Sequence, residues 1–395
     1  MTEPQPQPHA SPLVTFPHMG TSYIPIKVLL ESLGLTCIVP PINTPRTLEK
    51  SLIQAPEFMC YPFKLILGNL IYGLENGAQT IIFGGSQGPC RQEYYNDVLQ
   101  SILKDMGYTF SYVTLNLSQL WSRHNYTAVR QAWGVHLGHI LKSLALTVDT
   151  LFSVDSLSLS ARRKRCRTSN KTAVETILHT LTDHVMQAHG HAAITHLVRQ
   201  AHRHIRALPE EKSPEDILRV AIVGEIFVTS DAFSNLDIER KLGHMGVDVT
   251  TYMGPASWVR EHLIKALNPF QKTGKAQELS REYWNVDDIG GHGVQTVGNS
   301  VLSSRRGYDG IIHLYPLTCM PEIAAQSAFS AIQNRYGVPI MTLVVDEMTG
   351  EAGYNTRLEA FVDMIRMRKS RNVNILNVDI PGYKRKQWAR NSQKS

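Results

Sequence analysis

The chain is poor in cysteine and in charge, and it lacks a long apolar run. Five cysteines in 395 residues are too few for a disulfide framework. An odd count in a chain without a secretion signal reads as reduced thiols in a cytosol, so a cytoplasmic location is expected. No stretch approaches the roughly 18 consecutive apolar residues of a membrane-spanning helix. The start, MTEPQPQPHASP, lacks the basic flank and apolar centre of a signal peptide. Neither Gly88-Pro89 nor Gly224-Glu225 belongs to a G-x-G-x-x-G fingerprint, which disfavours a dinucleotide, and no Walker A lysine motif is present. With 43% hydrophobic and 19% charged residues, the chain can bury a core, which excludes wholesale disorder.

What charge there is has a positive excess, net +6. Much of it sits in Arg162-Arg163-Lys164-Arg165-Cys166-Arg167 and in a second stretch from Arg366 through Lys369 and Arg371 to Lys394. Nucleic-acid recognition needs basic groups gathered on one face. These two runs read as a linker and a tail carrying solvated charge, so a nucleic-acid partner is disfavoured.

Residues 1–12 read as a disordered leader. Strand-like runs at Leu13–Gly20, Leu35–Val39, Thr80–Phe83 and Phe110–Leu115 alternate with helical spacing at Ser22–Gly34, Phe63–Asn76 and Gln92–Met106. The alternation predicts a parallel sheet over 13–117. Residues 118–215 carry long helical patterns and few glycines, and end in the Pro- and charge-rich Leu208–Glu215. Strands at Leu218–Val223, Val247–Tyr252, Tyr308–Leu314 and Val338–Val345 then mark a second α/β unit over 216–370, followed by a basic tail at 371–395. The expected fold is α/β: two Rossmann-like or flavodoxin-like parallel-sheet domains with a helical insert.

Three cysteines share a context. Cys60 lies just before a helix, and Cys90 and Cys319 each lie between a strand and a helix. In open α/β sheets ligands collect at the carboxyl ends of strands. A helix N-terminus favours the thiolate, and soft thiolates select iron–sulfur clusters, zinc or copper(I). The bland alternative is a small buried hydrophobe. It suits Cys37, inside LTCIV, while Cys166 reads as a solvated or incidental thiol. Spacing alone leaves Cys60, Cys90 and Cys319 open between the two, because no C-x-x-C pattern is present.

The strings CYPFK, GGSQGPCRQEYY, SNLDIERKLGHMGVDV, GGHGVQTVG, YDGIIHLYPLTCMPEI and DEMTGEAGYNTRLEAFVDM resemble the 2-hydroxyacyl-CoA dehydratase / benzoyl-CoA reductase component superfamily. The nearer likeness is to its branch of activase-related and double-cubane-cluster proteins. The resemblance covers roughly residues 13–370, with all three cysteine motifs in order. It implies that Cys60, Cys90 and Cys319 hold a 4Fe-4S cluster with one iron free of protein thiolate. It also implies a separate ATP-hydrolysing iron–sulfur activator of the actin/sugar-kinase fold, which delivers an electron for a difficult reduction or for ketyl-radical dehydration of a 2-hydroxyacyl-CoA. Lacking a phosphate-binding lysine motif, this chain reads as the electron acceptor, acting on a small-molecule or acyl-CoA substrate. Three cysteines per chain suit a homodimer whose six thiolates could hold two cubanes joined by a sulfide, an 8Fe-9S double cubane. A cluster-bearing electron carrier without turnover is the alternative.

Four further residues are candidates beside the cysteines. Arg91 follows Cys90 directly. Lys64 stands one helical turn after Cys60. His292 sits in a Gly-Gly-His-Gly loop flexible enough to approach a ligand, as a proton donor. Glu322 opens the helix after Cys319, where a carboxylate is favourable in any case. His313 reads as a satisfied core histidine. Glu225, Asp346 and Glu347 stand at strand ends, suited equally to proton handling and to helix capping. The seven histidines from His179 to His204 read as a solvated helix face.

Overall fold

The computed structural model describes residues 12–85, 91–116, 126–127, 130, 133–213, 216–267, 274–284 and 289–377. Strands β1 (Val14–Thr15), β2 (Cys37–Ile38), β3 (Thr80–Gly85) and β4 (Ser111–Asn116) form one sheet in the order β2-β1-β3-β4. Strands β5 (Leu218–Gly224), β6 (Val247–Thr251), β7 (Gly310–Pro316) and β8 (Ile340–Val345) form another in the order β6-β5-β7-β8. Every pairing is parallel. The expected α/β class with two parallel sheets is what the structure shows. All seven residues of β7 are buried, as a parallel strand covered on both faces requires.

In both sheets the strand order reverses between the two central strands, so β1/β3 and β5/β7 are switch points, where α/β proteins open a crevice. At the second, β5 and β7 approach closely. A side chain at Gly224 would place Cβ 1.8 Å from the Leu314 carbonyl oxygen, and its φ of +138° is one that glycine adopts without cost.

Helices α1 (Tyr23–Ser32), α2 (Pro45–Leu52), α3 (Tyr61–Glu75) and α4 (Tyr95–Asp105) belong to the first half. The insert contributes α5 (Leu137–Arg167), α6 (Lys171–Gln187) and α7 (Gly190–Ala207). The second half carries α8 (Ile226–Ser230), α9 (Ile238–His244), α10 (Pro255–Leu267), α11 (Lys275–Ser280), α12 (Gly293–Arg305), α13 (Met320–Ala325), α14 (Phe329–Tyr336) and α15 (Glu351–Asn377). Sequence periodicity misses α12, whose serines, glycines and β-branched residues are weak helix formers. Burial supports it instead, with the hydroxyls of Ser300, Ser303 and Ser304 bonding back to carbonyls four residues earlier at 2.7–2.8 Å.

One hydrophobic cluster runs through both halves, joining Leu65, Leu67 and Leu99 to Ile222, Leu343 and Leu358. A second packs the insert on the first sheet, with Val14 and Val28 against Val154, Val185 and Val198. Buried Lys27 anchors it, donating to the carbonyls of Val185 (3.1 Å) and Met186 (2.8 Å) at the C-terminal end of α6, where a cation is favoured. The halves also meet through polar groups. Buried Asp231 accepts from Asn43 (2.9 Å) and from the Gly20 N–H (3.4 Å), and Asn43 in turn accepts from Asn69 (2.8 Å).

Two expectations are corrected. The run 162–167 is not a linker: it forms the last turns of α5 and most of it is buried and paired. Arg162 meets Glu239 (2.8 Å), Lys164 meets Glu210 (2.8 Å), Arg165 meets Glu175 (2.7 Å) and Arg167 meets Asp248 (2.9 Å). Only Arg163 of these is exposed. Similarly, the second basic stretch begins on α15, where Arg368 and Lys369 donate to the carbonyls of Gly337 (2.5 Å) and Ile217 (2.9 Å). Residues 378–395 lie outside the described residues. Among the described residues one helix, α5, is long and apolar enough by length and mean hydropathy to cross a membrane. Polar residues interrupt its apolar run, and in the structure one side of it packs into the second cluster.

Candidate functional site

Cys60 is the N-cap residue of α3, in extended backbone, and Pro62 sits in the first turn. Proline at that point presets helical φ without losing a needed N–H. The Cys60 thiol lies against the Tyr95 hydroxyl. Tyr95 opens α4, is buried, and meets the Phe63 ring edge-on at 4.9 Å. The thiol is therefore held against the helix that the Cys90 segment leads into. Cys90 itself and residues 86–89 lie outside the described residues, as does the side chain of Arg91, whose backbone begins a 3-10 turn ending at Tyr94.

Lys64 is not a free cation. Its ammonium group is buried, donates to the Glu57 carbonyl at 3.1 Å, and forms an ion pair with Glu347 just beyond β8. Of the two strand-end acids, Glu347 thus ties the halves together. Asp346 closes its own turn, accepting from the Met348 N–H (3.0 Å) and the Thr349 hydroxyl (2.8 Å).

Cys319 precedes α13 as its N-cap. The turn before it, Pro316-Leu317-Thr318-Cys319, closes with the Cys319 N–H on the Pro316 carbonyl at 3.1 Å. The Leu317 N–H reaches the Val345 carbonyl at 2.9 Å. Cys60 and Cys319 come from different halves, yet both their segments are fastened to Val345–Glu347, one through Lys64 and one through Leu317. Thr318 has φ of +70°, and its hydroxyl is buried without a hydrogen-bond partner.

Beneath this turn lies a carboxylate network. Glu322 is fully buried, accepting from the Thr296 hydroxyl at 3.2 Å and meeting His313 Nε2 at 2.9 Å. His313 is also fully buried, stacked on Tyr315 and edge-on to Phe329. It is satisfied, as expected, and its partner is the candidate Glu322. Glu225 accepts from the N–H groups of Phe227 (2.9 Å) and Val228 (3.0 Å), capping α8. Burial nevertheless pushes its carboxyl up to about 7, the two N–H bonds opposing and nearby Glu322 adding to the rise. It both caps a helix and titrates near neutrality.

His292 is the N-cap residue of α12. Its loop packs against the start of α13. A side chain at Gly293 would place Cβ 2.5 Å from the Pro321 carbonyl oxygen, so the glycine permits tight packing on α13. Burial lowers the His292 pKa, with Glu322 and Glu261 opposing, so the imidazole is neutral at pH 7. The structure thus gathers His292, Glu322, His313 and Glu225 around the β5/β7 end.

The remaining cysteines differ in character. Burial pushes the Cys37 and Cys166 thiols up to about 11. Cys166 is fully buried, donating to the Arg163 carbonyl at 3.1 Å, which corrects its reading as a solvated thiol. Cys60 and Cys319 form no disulfide and are half-buried. Among the described residues no three His, Cys, Asp or Glu side chains are grouped as metal ligands. Two of the helical histidines tie α7 to α5, His191 to Asp149 (2.9 Å) and His202 to Ser160 (2.7 Å).

Sequence reasoning missed Tyr95, Thr318 and the Asp231 network. Tyr95 stood inside GGSQGPCRQEYY, but its contact with Cys60 is tertiary. Thr318 betrays itself only once the turn is located. The donor set is compatible with a cluster held by thiolates: two half-buried thiols at helix N-caps, and an unsatisfied hydroxyl next to one of them. No protein-family model matches the chain, and no curated protein matches it.

Proposed function

We propose that the chain is an iron–sulfur protein in which Cys60, Cys90 and Cys319 hold a 4Fe-4S cluster, serving as the low-potential electron acceptor of a reductase or dehydratase-type system. The observation that carries this reading is the shared anchor: segments bearing Cys60 and Cys319, from opposite halves, are both fastened to Val345–Glu347. Cys60 adds to it by facing Tyr95, five residues beyond Cys90. The bound cluster would supply a one-electron centre of low potential. Around it the chain's own groups have defined tasks. A thiolate at Cys60 accepts from the Tyr95 hydroxyl. Lys64 uses its charge on Glu347 and so fixes the start of α3 rather than meeting a substrate. Glu225, which titrates near neutrality, and neutral His292 are the groups suited to exchange protons with a bound small molecule or acyl-CoA. Glu322, sealed from solvent, holds His313 instead.

The reading includes a separate ATP-hydrolysing activator, a cytoplasmic setting and a homodimer with a possible 8Fe-9S double cubane. Exposed Phe58, Tyr94, Leu317, Met320, Ile323 and Met348 all lie within five residues of Cys60, Cys90, Cys319 or Asp346. Such an apolar rim fits a surface covered by protein.

The test is anaerobic purification with iron and acid-labile sulfide measured per chain, and EPR of the reduced state. About four irons per chain are expected, with both metal and signal lost on replacing Cys60, Cys90 or Cys319 by Ala. Replacing Cys37 or Cys166 should leave the iron unchanged. A wild-type chain that takes up no iron after reconstitution would remove the proposal. Iron without turnover of any substrate would leave the electron carrier.

A further inference from the structure

Thr318 bears two costs at one residue. The turn Pro316–Cys319 closes by an i to i+3 hydrogen bond, and Thr318 is its third residue with φ of +70°. That position requires positive φ and favours glycine or asparagine. A β-branched residue there is strained. Leu236 and Asp237 are the only other non-glycine residues with positive φ among the described residues, and their N–H groups close one turn onto Phe233 and Ala232. Thr318 adds a second penalty, a buried hydroxyl with no partner, and buried polar groups are seldom left so. Glycine would relieve both. A side chain that strains the backbone and leaves a donor unpaired, directly before Cys319, is explained by an acceptor that the polypeptide does not supply.

We infer that Thr318 is a positioning residue whose hydroxyl donates to an inorganic sulfide of the cluster held at Cys319. This rests on the proposed iron–sulfur function. The hydrogen bond to an anionic sulfur satisfies the hydroxyl, and the left-handed backbone fixes it in the turn that also carries Cys319. The assignment concerns retention of the cluster and its electronic character, both separate from turnover.

The experiment compares wild type with Thr318→Val, which keeps the β-branch and loses the hydroxyl, and Thr318→Ser, which keeps the hydroxyl. Each full chain is reconstituted anaerobically with ferrous iron and sulfide. Iron release to a chelator is timed, the reduction potential is titrated, and the melting temperature is measured before and after loading. Before loading, Thr318→Val should melt no lower than wild type, because it loses only an unpaired donor. After loading it should release iron roughly tenfold faster, the loss expected for one hydrogen bond to a charged acceptor. Its potential should fall, because a donor to sulfide stabilises the added electron, and Thr318→Ser should follow wild type. Should Thr318→Val fail to fold, Thr318→Ala carries the same comparison. Equal release and equal potential in a hydroxyl-less variant would overturn the role of Thr318 and leave the cluster standing. A wild type that binds no iron would overturn both.

Discussion

Glu225 shows how one side chain can serve structure and chemistry together. Its oxygens cap α8, yet burial beside Glu322 holds its carboxyl near 7. Raised above its ordinary 4.5, it binds a proton in the folded chain that the unfolded chain has already lost. Its effect is therefore to lower stability as pH rises from about 4.5 to 7, with no further change above that. Glu225→Gln keeps an oxygen for the cap and removes the ionisation. Its urea midpoint should lose this downward slope, and an unaltered slope would show that another group is responsible. The sequence placed Glu225 at a strand end but could not choose between its two roles. The choice depends on Glu322, nearly a hundred residues away, and on the burial of both.

Among the elements, α5 departs most from its reading. Six basic or thiol-bearing residues in succession look solvated because their partners are remote in sequence. Glu239 and Asp248 stand more than seventy residues further on, and only folding makes them neighbours. Arg162→Ala should lower stability at pH 7 by on the order of 2 kcal/mol, because it takes from Glu239 its ion-pair partner and leaves the Thr251 hydroxyl bond. Arg163→Ala, on the exposed side, should change it by less than about 0.5 kcal/mol. Burial works to raise the Glu239 pKa, but Arg162 overcomes it and holds the carboxyl below its ordinary range. The pair's contribution is present above about 4.5 and is lost as pH falls through the depressed value. The gap between wild type and Arg162→Ala should accordingly close in acid, which urea unfolding at pH 7 and pH 3 would reveal. By contrast the strands were legible, since β5 and β7 are apolar runs, interrupted by Arg219 and His313, that end in Gly224 and Pro316. Helices α2, α10, α11 and α12 were not read from the sequence, although α2 carries a capping box and a proline at its start.

At the scale of the molecule, the alternation of strands and helices disclosed two sheets, and their order came only from the structure. The candidate site was half legible. Residue type and position before a helix picked Cys60 and Cys319, but the fastening of both to Val345–Glu347 needed the fold. Leu67 and Leu99 share a cluster with Ile222 and Leu358, so a common core couples the halves although each also keeps clusters of its own. Calorimetry of the full chain should show one heat-absorption peak, with calorimetric and van't Hoff enthalpies equal. Two resolved peaks would mean that the shared cluster does not couple the halves.

The exposed stretch 209–213 between α7 and β5 offers a protease a site between the two halves. With apolar contacts and the Asp231 and Lys64 ties spanning the two halves, a single nick there would yield two fragments on a denaturing gel and one particle on a sizing column. Covalent continuity and physical unity are thus separable in this protein, and the fragments could be exchanged between differently labelled preparations only by unfolding both.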